Sequence, residues 1–313
     1  MTEASRQPQR LYLLGHPVAH SKSPVMYNAV YGLLGLPWTY GLADCATEEE
    51  AQAFLDARDF LSINITTPYK PHALRAATVE DASAKLAQGA NVLVRRKGSL
   101  VAYNTDGQGC AFFLERSGFA FAGKRVAVCG SGPTALSVLH AASVAGADTV
   151  LLVGRNRERT RRILEGYVER FGLLANALLD QPPARSHHRS LREAYECTKF
   201  TFGSYEADAA ALEAADLVVN ATPLGMGDAD PAPFDTGLLH PGQTVFDAVY
   251  GHGETALVCA AREKGCAVHD GGGMLVAQAV ATVLILCGLE GVRVSVPEGE
   301  LFDIMARAAG FEV

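Results

Sequence analysis

Residues 126–135 read VAVCGSGPTA, a short apolar run followed by a glycine-rich turn. The apolar run predicts a buried strand at Val126–Cys129, and the residues after the turn predict a helix that continues to about Ala145. A second strand is expected at Thr149–Val153. The order of strand, glycine turn, helix and strand is typical of a βαβ unit that binds a dinucleotide.

The glycine-rich turn has the residues that a phosphate site requires. Gly130 permits the sharp turn, Gly132 lets the backbone approach a pyrophosphate closely, and Pro133 begins the helix at a position whose N–H has no partner. The helix N-terminus then directs its free N–H groups at the phosphates. An ordinary glycine turn is the alternative, but the βαβ context favours a nucleotide site. The candidate contacts are Gly130, Ser131, Gly132, Pro133, Thr134 and Ala135.

The residues after the second strand indicate which dinucleotide is bound. An NAD site normally places Asp or Glu there, where it accepts hydrogen bonds from the ribose hydroxyls. Residues 153–159 read VGRNRER, with no acid directly after the strand. Guanidinium groups suit a 2′-phosphate, so Arg155 and Arg159, expected one helical turn apart, predict NADP, with NAD as the alternative. A solvated basic helix start would give the same pattern, and Glu158 would oppose phosphate binding.

The composition restricts the class of protein. The chain has 313 residues, 49% of them apolar, which suits two domains with large cores. A formal net charge of −7 argues against a general nucleic-acid binder. Seven scattered cysteines without a C-x-x-C pair favour buried thiols in a reducing compartment. The polar start lacks the apolar region of a signal peptide, and the apolar run Gly273–Leu286 is interrupted by Gln278 and Thr282, so we expect a cytoplasmic protein.

Further elements follow from hydrophobic spacing and turn residues. The other expected strands are Leu11–Leu14, Thr39–Ala43, Leu61–Ile65, Val92–Arg96, Leu100–Tyr103, Leu217–Val219 and Thr244–Phe246. Val92–Arg96 and Leu100–Tyr103 are expected to form a hairpin across Lys97-Gly98. One expected helix begins at about Ser23. The other expected helices cover Glu48–Ala57, Gly107–Ser117 and Gly272–Cys287. Residues 179–198 are polar and rich in proline, which predicts an extended surface loop with one short helix.

Pairs of polar residues follow the early strands. Ser21 and Ser23 lie two residues apart, so in an extended stretch both hydroxyls point to one side and can bind a carboxylate or a diol. The alternative is that Ser23 only caps a helix whose first position is Pro24. Asn64 and Thr66 repeat the pattern at a strand end, where they share one face.

A lysine and an aspartate follow two other turns. Lys70 comes after the turn Thr67-Pro68-Tyr69, and a single lysine is usually a surface residue. Asn104-Thr105-Asp106 ends a strand, and the structural alternative there is an Asx turn that caps the next helix. Each position therefore has a structural explanation beside the functional one.

Seven blocks in chain order resemble the motifs of the shikimate dehydrogenase family. The blocks are GHPVAHSKSPVMYNAV (15–30), NITTPYK (64–70), GAN (89–91), NTDG (104–107), ATPLGM (221–226), DAVYGHGET (247–255) and GGGMLVAQA (271–279). The resemblance spans about Leu11–Gly288. It implies an α/β protein of two domains, an N-terminal α/β substrate domain completed by the C-terminal helix and a Rossmann-type NADP-binding domain. The expected boundaries are 1–107, 108–270 and 271–313, the last range returning to the substrate domain.

The resemblance also implies roles for individual residues. Lys70 and Asp106 match the catalytic pair for the reversible NADP-dependent oxidation of shikimate to 3-dehydroshikimate, and a lysine held by a carboxylate can move the hydroxyl proton. Thr222 and Met274 join the glycine turn and the two arginines as cofactor contacts. The implied partners are small molecules, without nucleic acid, membrane or metal, and we expect a monomer or homodimer. The residues implied to hold the substrate carboxylate and ring hydroxyls are Ser21, Ser23, Asn64, Thr66, Asn91, Thr105, Tyr250 and Gln278.

Several positions depart from the family pattern and leave the substrate open. None removes a proposed catalytic group, but Ser62 and Val92 border the expected pocket. A paralogue acting on quinate or another cyclic hydroxy acid is therefore one alternative, and a cofactor-binding regulator with low turnover is another. Retention of both Lys70 and Asp106 weighs against the regulator, because a pure binder does not need the pair. The departures are Tyr27, Ser62, Val92, Pro133-Thr134 and His252.

Overall fold

The computed structural model describes residues 7–178, 183, 185–227 and 229–311. These residues form two compact units. Unit 1 contains the residues up to Gly109 together with those from Leu275 onward, and unit 2 contains Cys110–Met274.

Strands and helices alternate along most of the described chain. The strands are β1 Gln9–Gly15, β2 Trp38–Asp44, β3 Ser62–Ile65, β4 Val79–Glu80, β5 Val92–Arg96, β6 Ser99–Tyr103, β7 Arg125–Cys129, β8 Thr149–Gly154, β9 Lys199–Ser204, β10 Leu217–Asn220, β11 Thr244–Asp247 and β12 Ala267–His269. The helices are α1 Ser23–Leu33, α2 Glu48–Ala57, α3 Lys70–Ala76, α4 Ala82–Ala87, α5 Asp106–Arg116, α6 Pro133–Val144, α7 Arg157–Ala177, α8 Leu191–Cys197, α9 Ala209–Glu213, α10 Ala256–Glu263, α11 Gly271–Leu289 and α12 Glu298–Ala309.

Unit 1 is built on a six-stranded mixed sheet in the order β2-β1-β3-β5-β6-β4. β1 is parallel to β2 and β3, whereas β5 is antiparallel to β3 and β6. The predicted hairpin of β5 and β6 is confirmed, and its two turn residues, Lys97 and Gly98, have φ values of 47° and 83°, as a two-residue hairpin turn requires. α12 packs on α1, so the C-terminal segment completes this unit, which confirms the predicted fold class.

Unit 2 is built on a six-stranded parallel sheet in the order β12-β11-β10-β7-β8-β9. Counted from β7, this is the 3-2-1-4-5-6 order of the doubly wound dinucleotide-binding fold. The strand order reverses between β7 and β10, and in such sheets ligands bind beyond the carboxyl ends of the strands at that point. The glycine-rich turn predicted from the sequence follows β7 and therefore lies at this position.

The sequence does not predict α3, which begins at Lys70 directly after the turn at residues 67–69. Pro71 lies in its first turn, where a proline is tolerated because the N–H it lacks would have no helical partner. The sequence analysis gives no bounds for the longer helices α7 and α12. It also misses the short or edge elements β4, α4, β9, α9, α10 and β12. Such elements depend on packing against neighbours more than on a long periodic pattern.

The loop predicted at 179–198 contains α8 in its described part. Ser190 and Glu193 form a reciprocal capping box at the start of this helix, which explains where it begins. Residues 179–182 and 184, with the start of the proline-rich stretch, lie outside the described residues.

α11 is the one helix among the described residues that is long and apolar enough to cross a membrane by length and composition. Its most apolar window is 61% buried within the protein, as in the core helix of a folded domain. Gln278 and Thr282, which interrupt the apolar pattern, are both buried and hydrogen-bonded.

Candidate active site

Lys70 and Asp106 form a close ion pair in unit 1. The Lys70 Nζ atom lies 2.5 Å from Asp106 Oδ2, and the two side chains are 18% and 6% exposed. Each residue begins a helix, Lys70 at the start of α3 and Asp106 at the start of α5. The folding of residues 70–76 into a helix therefore fixes the backbone from which the Lys70 side chain extends.

A buried amide holds the other oxygen of the aspartate. Asn91 Nδ2 donates to Asp106 Oδ1 at 2.8 Å and to Thr105 Oγ1 at 3.0 Å, while Asn91 Oδ1 accepts from the Thr105 N–H at 2.8 Å. Asn104 Oδ1 accepts from the Asp106 N–H at 3.0 Å, which is the Asx turn considered from the sequence. The turn and the ion pair coexist, because the turn uses Asn104 and leaves the Asp106 carboxylate for Lys70.

α11 joins this network from the far end of the sequence. Thr105 Oγ1 donates to the Gln278 carbonyl oxygen at 3.2 Å, and Asn91 Nδ2 lies 3.4 Å from Gln278 Oε1. The close approach of α11 to α5 depends on Gly109, because a Cβ atom there would lie 2.6 Å from the Gln278 nitrogen. Gln278 is therefore connected to Lys70 through Asn91 and Asp106.

Asn64 is oriented by partners that are absent from the set of site residues predicted from the sequence. The Tyr40 hydroxyl donates to Asn64 Oδ1 at 2.9 Å, and Asn64 Nδ2 lies 3.4 Å from Thr282 Oγ1. Tyr40 itself stacks on Tyr27, with 4.2 Å between the ring centres. Thr282 carries a usable signal, since it is polar in an apolar helix and lies four residues after Gln278 on the same face.

Ser21 and Ser23 lie together, but not through an extended strand. Lys22 has helical dihedral angles, and the two hydroxyl oxygens are 3.2 Å apart across this turn. Lys22 is the cap residue of α1 and no side chain caps the helix, so Ser23 begins the helix and does not cap it, and Pro24 is its second residue. Ser23 is buried, and its hydroxyl oxygen accepts a hydrogen bond from the Ser21 hydroxyl.

Thr66 lies beside the end of β1. Its N–H donates to the Leu14 carbonyl oxygen at 2.9 Å, and a Cβ atom on Gly15 would lie 2.3 Å from Thr66 Cγ2. Gly15 therefore permits this approach. Among the described residues of unit 1, hydrogen bonds connect Lys70, Asp106, Asn91, Thr105, Gln278 and Asn64, whereas Ser21 and Ser23 contact each other.

Tyr250 belongs to unit 2 and follows a buried carboxylate. Asp247 accepts hydrogen bonds from the Thr255 hydroxyl at 2.6 Å, the Asn220 amide at 2.9 Å and the Val249 N–H at 3.0 Å. Burial raises the pKa of the Asp247 carboxyl, and these three bonds oppose that rise. The carboxylate ties the ends of β10 and β11 to the loop that carries Tyr250. The sequence offers no signal for this role beyond the place of Asp247 in a family block.

The glycine-rich turn fits a pyrophosphate. Gly130 has a φ of 122°, and a Cβ atom there would lie 2.9 Å from the Ala221 carbonyl oxygen, so only glycine suits the position. A Cβ on Gly132 would meet no atom within 4 Å, which leaves room for a ligand against the backbone. No side chain caps α6, whose N-terminus is therefore suited to bind an anion. Thr222, after β10, is half-buried, and Met274 is buried at the start of α11.

The arginines after β8 are arranged differently from the prediction. α7 begins at Arg157 with Asn156 as its cap, so Arg155 precedes the helix and is not one helical turn from Arg159. Both arginines are exposed. Arg157 pairs with Asp208 and lies over the Phe202 ring.

Glu158 is paired with another arginine of α7. Its carboxylate accepts hydrogen bonds from the Arg161 guanidinium at 2.7 Å and 2.9 Å, so its negative charge is balanced within the helix. These bonds lower the pKa of Glu158. The expected opposition of Glu158 to a phosphate is correspondingly reduced.

The sequence is similar to that of known enzymes over nearly its whole length. Residues 13–93 match the family model described as the shikimate dehydrogenase substrate binding domain. The chain is 34% identical over 302 residues to the shikimate dehydrogenase (NADP(+)) of Moorella thermoacetica, covering 95% of this chain and 94% of the relative. It is 36% identical over 279 residues to the protein of the same name from Symbiobacterium thermophilum, covering 88% and 87%.

Solved structures agree with the sequence relatives. The shikimate 5-dehydrogenase of Thermus thermophilus in complex with NADP(H) and shikimate superimposes with a TM-score of 0.73 at 25% identity, over 96% of this chain and 99% of that chain. These matches extend over both units of the fold and over nearly the full length of each relative. The chain belongs to the shikimate dehydrogenase family.

Proposed function

We propose that this chain catalyses the reversible NADP-dependent oxidation of shikimate to 3-dehydroshikimate. The observation that carries the proposal is the Lys70–Asp106 ion pair, held on a buried network of Asn91, Thr105 and Gln278. The relatives named as NADP-dependent shikimate dehydrogenases support it.

Lys70 is proposed to move the proton of the reacting hydroxyl. Oxidation of a secondary alcohol requires loss of the hydroxyl proton as hydride leaves the same carbon, and NADP supplies the hydride acceptor when bound. In the oxidative direction the Lys70 ammonium of the ion pair first loses its own proton to solvent, and the resulting amine takes the hydroxyl proton. In the reverse direction the ammonium donates a proton to the carbonyl oxygen. Asp106 holds the Lys70 side chain in place and is proposed also to accept a hydrogen bond from a substrate hydroxyl.

The remaining polar residues are proposed to select the substrate. Ser21 and Ser23 would bind the carboxylate, since their hydroxyls lie side by side. A site built from hydrogen-bonding groups rejects analogues that leave such groups unpaired, because each unmatched buried group is costly. The groups proposed for the ring hydroxyls are Asn64, Thr66, Asn91, Thr105, Tyr250 and Gln278.

Unit 2 is proposed to bind NADP, and unit 1 to bind the substrate. The turn at Gly130–Ala135 and the N-terminus of α6 would hold the pyrophosphate, with Thr222 and Met274 beside them. Arg155 and Arg159, both exposed, would bind the 2′-phosphate from the turn before α7 and from its first turn. The protein is proposed to act in the cytoplasm, as a monomer or homodimer.

The test is a turnover assay at the absorbance band of reduced nicotinamide. Shikimate and quinate are each run with NADP and NAD, on the native chain and on Arg155→Ala/Arg159→Ala. We expect the highest kcat/KM with shikimate and NADP, and a loss in the double variant that is far larger for NADP than for NAD. Arg162→Ala is the matched control, an exposed arginine of the same helix that pairs with Glu158.

The other outcomes of this assay would contradict the proposed substrate, the proposed activity or the proposed cofactor contacts. A kcat/KM for quinate equal to or above that for shikimate would favour the quinate paralogue. Absence of turnover with every pair would favour the regulator. Equal losses for the two cofactors in the double variant would remove the 2′-phosphate role.

A further inference from the structure

Glu115, His187 and His188 converge in unit 2. One ligand atom from each lies within 4.8 Å of the other two. His188 Nε2 is 2.8 Å and His187 Nε2 is 3.3 Å from the same atom, Glu115 Oε1. Nothing in the proposed dehydrogenase chemistry uses these three residues.

The segment that carries the two histidines is anchored to the rest of unit 2. The Arg189 N–H donates to the Val144 carbonyl oxygen at 2.8 Å, and the Arg189 guanidinium donates to Ala147 O, Thr198 Oγ1 and Asp148 Oδ1 at 2.8–3.1 Å. On the other side, the Arg185 guanidinium lies 4.7 Å from the centre of the Phe112 ring on α5. The imidazoles are therefore held against Glu115, the penultimate residue of α5.

The three donors are of the kind that divalent transition metals prefer. Imidazole nitrogen and carboxylate oxygen are both zinc ligands, bound at about 2.0–2.2 Å. In a tetrahedral site such bonds place the ligand atoms roughly 3.3 Å apart, close to the spacings of 2.8 Å and 3.3 Å found here. An ion would replace the two hydrogen bonds to Oε1 without a large movement of the backbone.

The exposure of the three side chains fits the same role. The side chains of His188 and Glu115 are 9% and 18% exposed, whereas His187 is 61% exposed. The protein thus covers one side of the cluster, and the side of His187 leaves a coordination position for water.

We propose that Glu115, His187 and His188 form a binding site for a divalent transition-metal ion, which ties residues 185–190 to α5. The ion has two nitrogen ligands, one carboxylate ligand and water. It stabilises unit 2 and takes no part in hydride transfer. The sequence predicts no metal site, because its histidines and its glutamate are 72 and 73 residues apart.

The experiment measures Zn²⁺ binding to metal-stripped full-length protein by isothermal titration calorimetry. All variants carry Cys197→Ser and Cys259→Ser, which removes the two exposed thiols as competing ligands. His187→Ala changes an exposed side chain, and Glu115→Gln preserves shape while removing charge. His240→Ala, another exposed histidine, is the matched control, and circular dichroism checks that each variant is folded.

The proposal expects one Zn²⁺ per chain in the background protein and in His240→Ala. Loss of a residue that only supports a metal ligand typically lowers metal affinity roughly 10–100-fold. His187→Ala and Glu115→Gln each remove a ligand, so each should lower the Zn²⁺ affinity by more than that. Zn²⁺ should also raise the Tm of the background protein and not that of Glu115→Gln. Equal affinities in all variants, or no binding at micromolar Zn²⁺, would overturn the metal site and leave the cluster as a hydrogen-bonded clamp only.

Discussion

Lys70 is the side chain on which the proposed chemistry depends. In the proposed mechanism Lys70 acts mainly in the transition state, where the proton moves as hydride leaves. Lys70→Ala should therefore lower kcat by about 10²–10⁴-fold and change the substrate KM less. Lys70→Arg should not restore activity, because a guanidinium does not release its proton near neutral pH. Steady-state kinetics and Tm are measured on the same preparation.

The alternative for Lys70 is a purely structural ion pair with Asp106. That alternative predicts a lower Tm with a normal kcat in the folded fraction. Lys85→Ala, which removes an exposed lysine of the same unit, should leave both quantities unchanged. A folded Lys70→Ala protein with near-native kcat would remove the catalytic assignment.

His140 should make the stability of unit 2 depend on pH. Its Nδ1 atom lies 3.0 Å from the Tyr167 hydroxyl and its ring packs edge-on to Phe171, and burial lowers the pKa of His140 to about 4. The unfolded chain, with a histidine pKa near 6.5, therefore binds a proton that the folded chain does not. Stability should be greatest above about pH 6.5 and should fall by about 3 kcal/mol as the pH drops towards 4.

Urea unfolding at a series of pH values tests this dependence. His140→Gln removes the titrating ring, so the slope of unfolding free energy against pH should become shallower between pH 4 and 6.5. His240→Gln changes an exposed histidine and should keep the native slope. Identical profiles for His140→Gln and the native chain would show that another group carries the effect.

At the level of elements, the contact between α5 and α11 is set by one missing side chain. Alanine usually stabilises a helix interior relative to glycine by up to about 1 kcal/mol. At Gly109 the added Cβ would lie 2.6 Å from the Gln278 backbone nitrogen, so Gly109→Ala should instead destabilise the protein by about 1–3 kcal/mol. Because Gln278 would move, the substrate KM should also rise.

Gly288→Ala is the matched control on α11. A Cβ atom there meets nothing within 4 Å, so this change should be neutral or slightly stabilising. The two unfolding free energies and the two KM values decide the point. A Gly109→Ala protein as stable as Gly288→Ala, with native KM, would mean that the helices separate without cost.

For the whole molecule, the two units should respond separately to damage in their cores. Phe302 is buried in α12 of unit 1, and Phe302→Ala should cost about 3–5 kcal/mol in that unit. Since the proposed cofactor site is in unit 2, the Kd of NADP should change little while the unit 1 transition moves to a lower temperature. Differential scanning calorimetry with and without NADP, and a cofactor titration, measure the two effects.

Phe171→Ala supplies the opposite case. Phe171 is buried in α7 of unit 2, so its removal should lower the unit 2 transition and weaken NADP binding. Loss of NADP affinity in both variants to the same extent would show that the chain unfolds as one cooperative body.

Elements with local signals can be predicted from the amino-acid sequence alone. The turn at Gly130, the strand before it and the helix after it are predictable because their signals lie close together along the chain, and so is the hairpin around Lys97-Gly98. Glu48–Ala57 is predicted with the bounds that the structure has, since an amphipathic period and a capping threonine define it. Candidate residues outside such patterns, among them Lys70, are assigned by family resemblance and not by local physics.

Which of these residues contact each other depends on the packing of the folded chain. Lys70 and Asp106 are 36 residues apart, and Asn91 and Gln278 are 187 apart, so no local period or turn signal reports their contact. The position of Arg155 outside α7 follows instead from a local signal that the sequence prediction did not use, because Asn156 caps the helix and the first helical residue is Arg157. Contacts at such separations follow from how sheets and helices pack, and packing depends on the whole chain, which is why local patterns do not contain them.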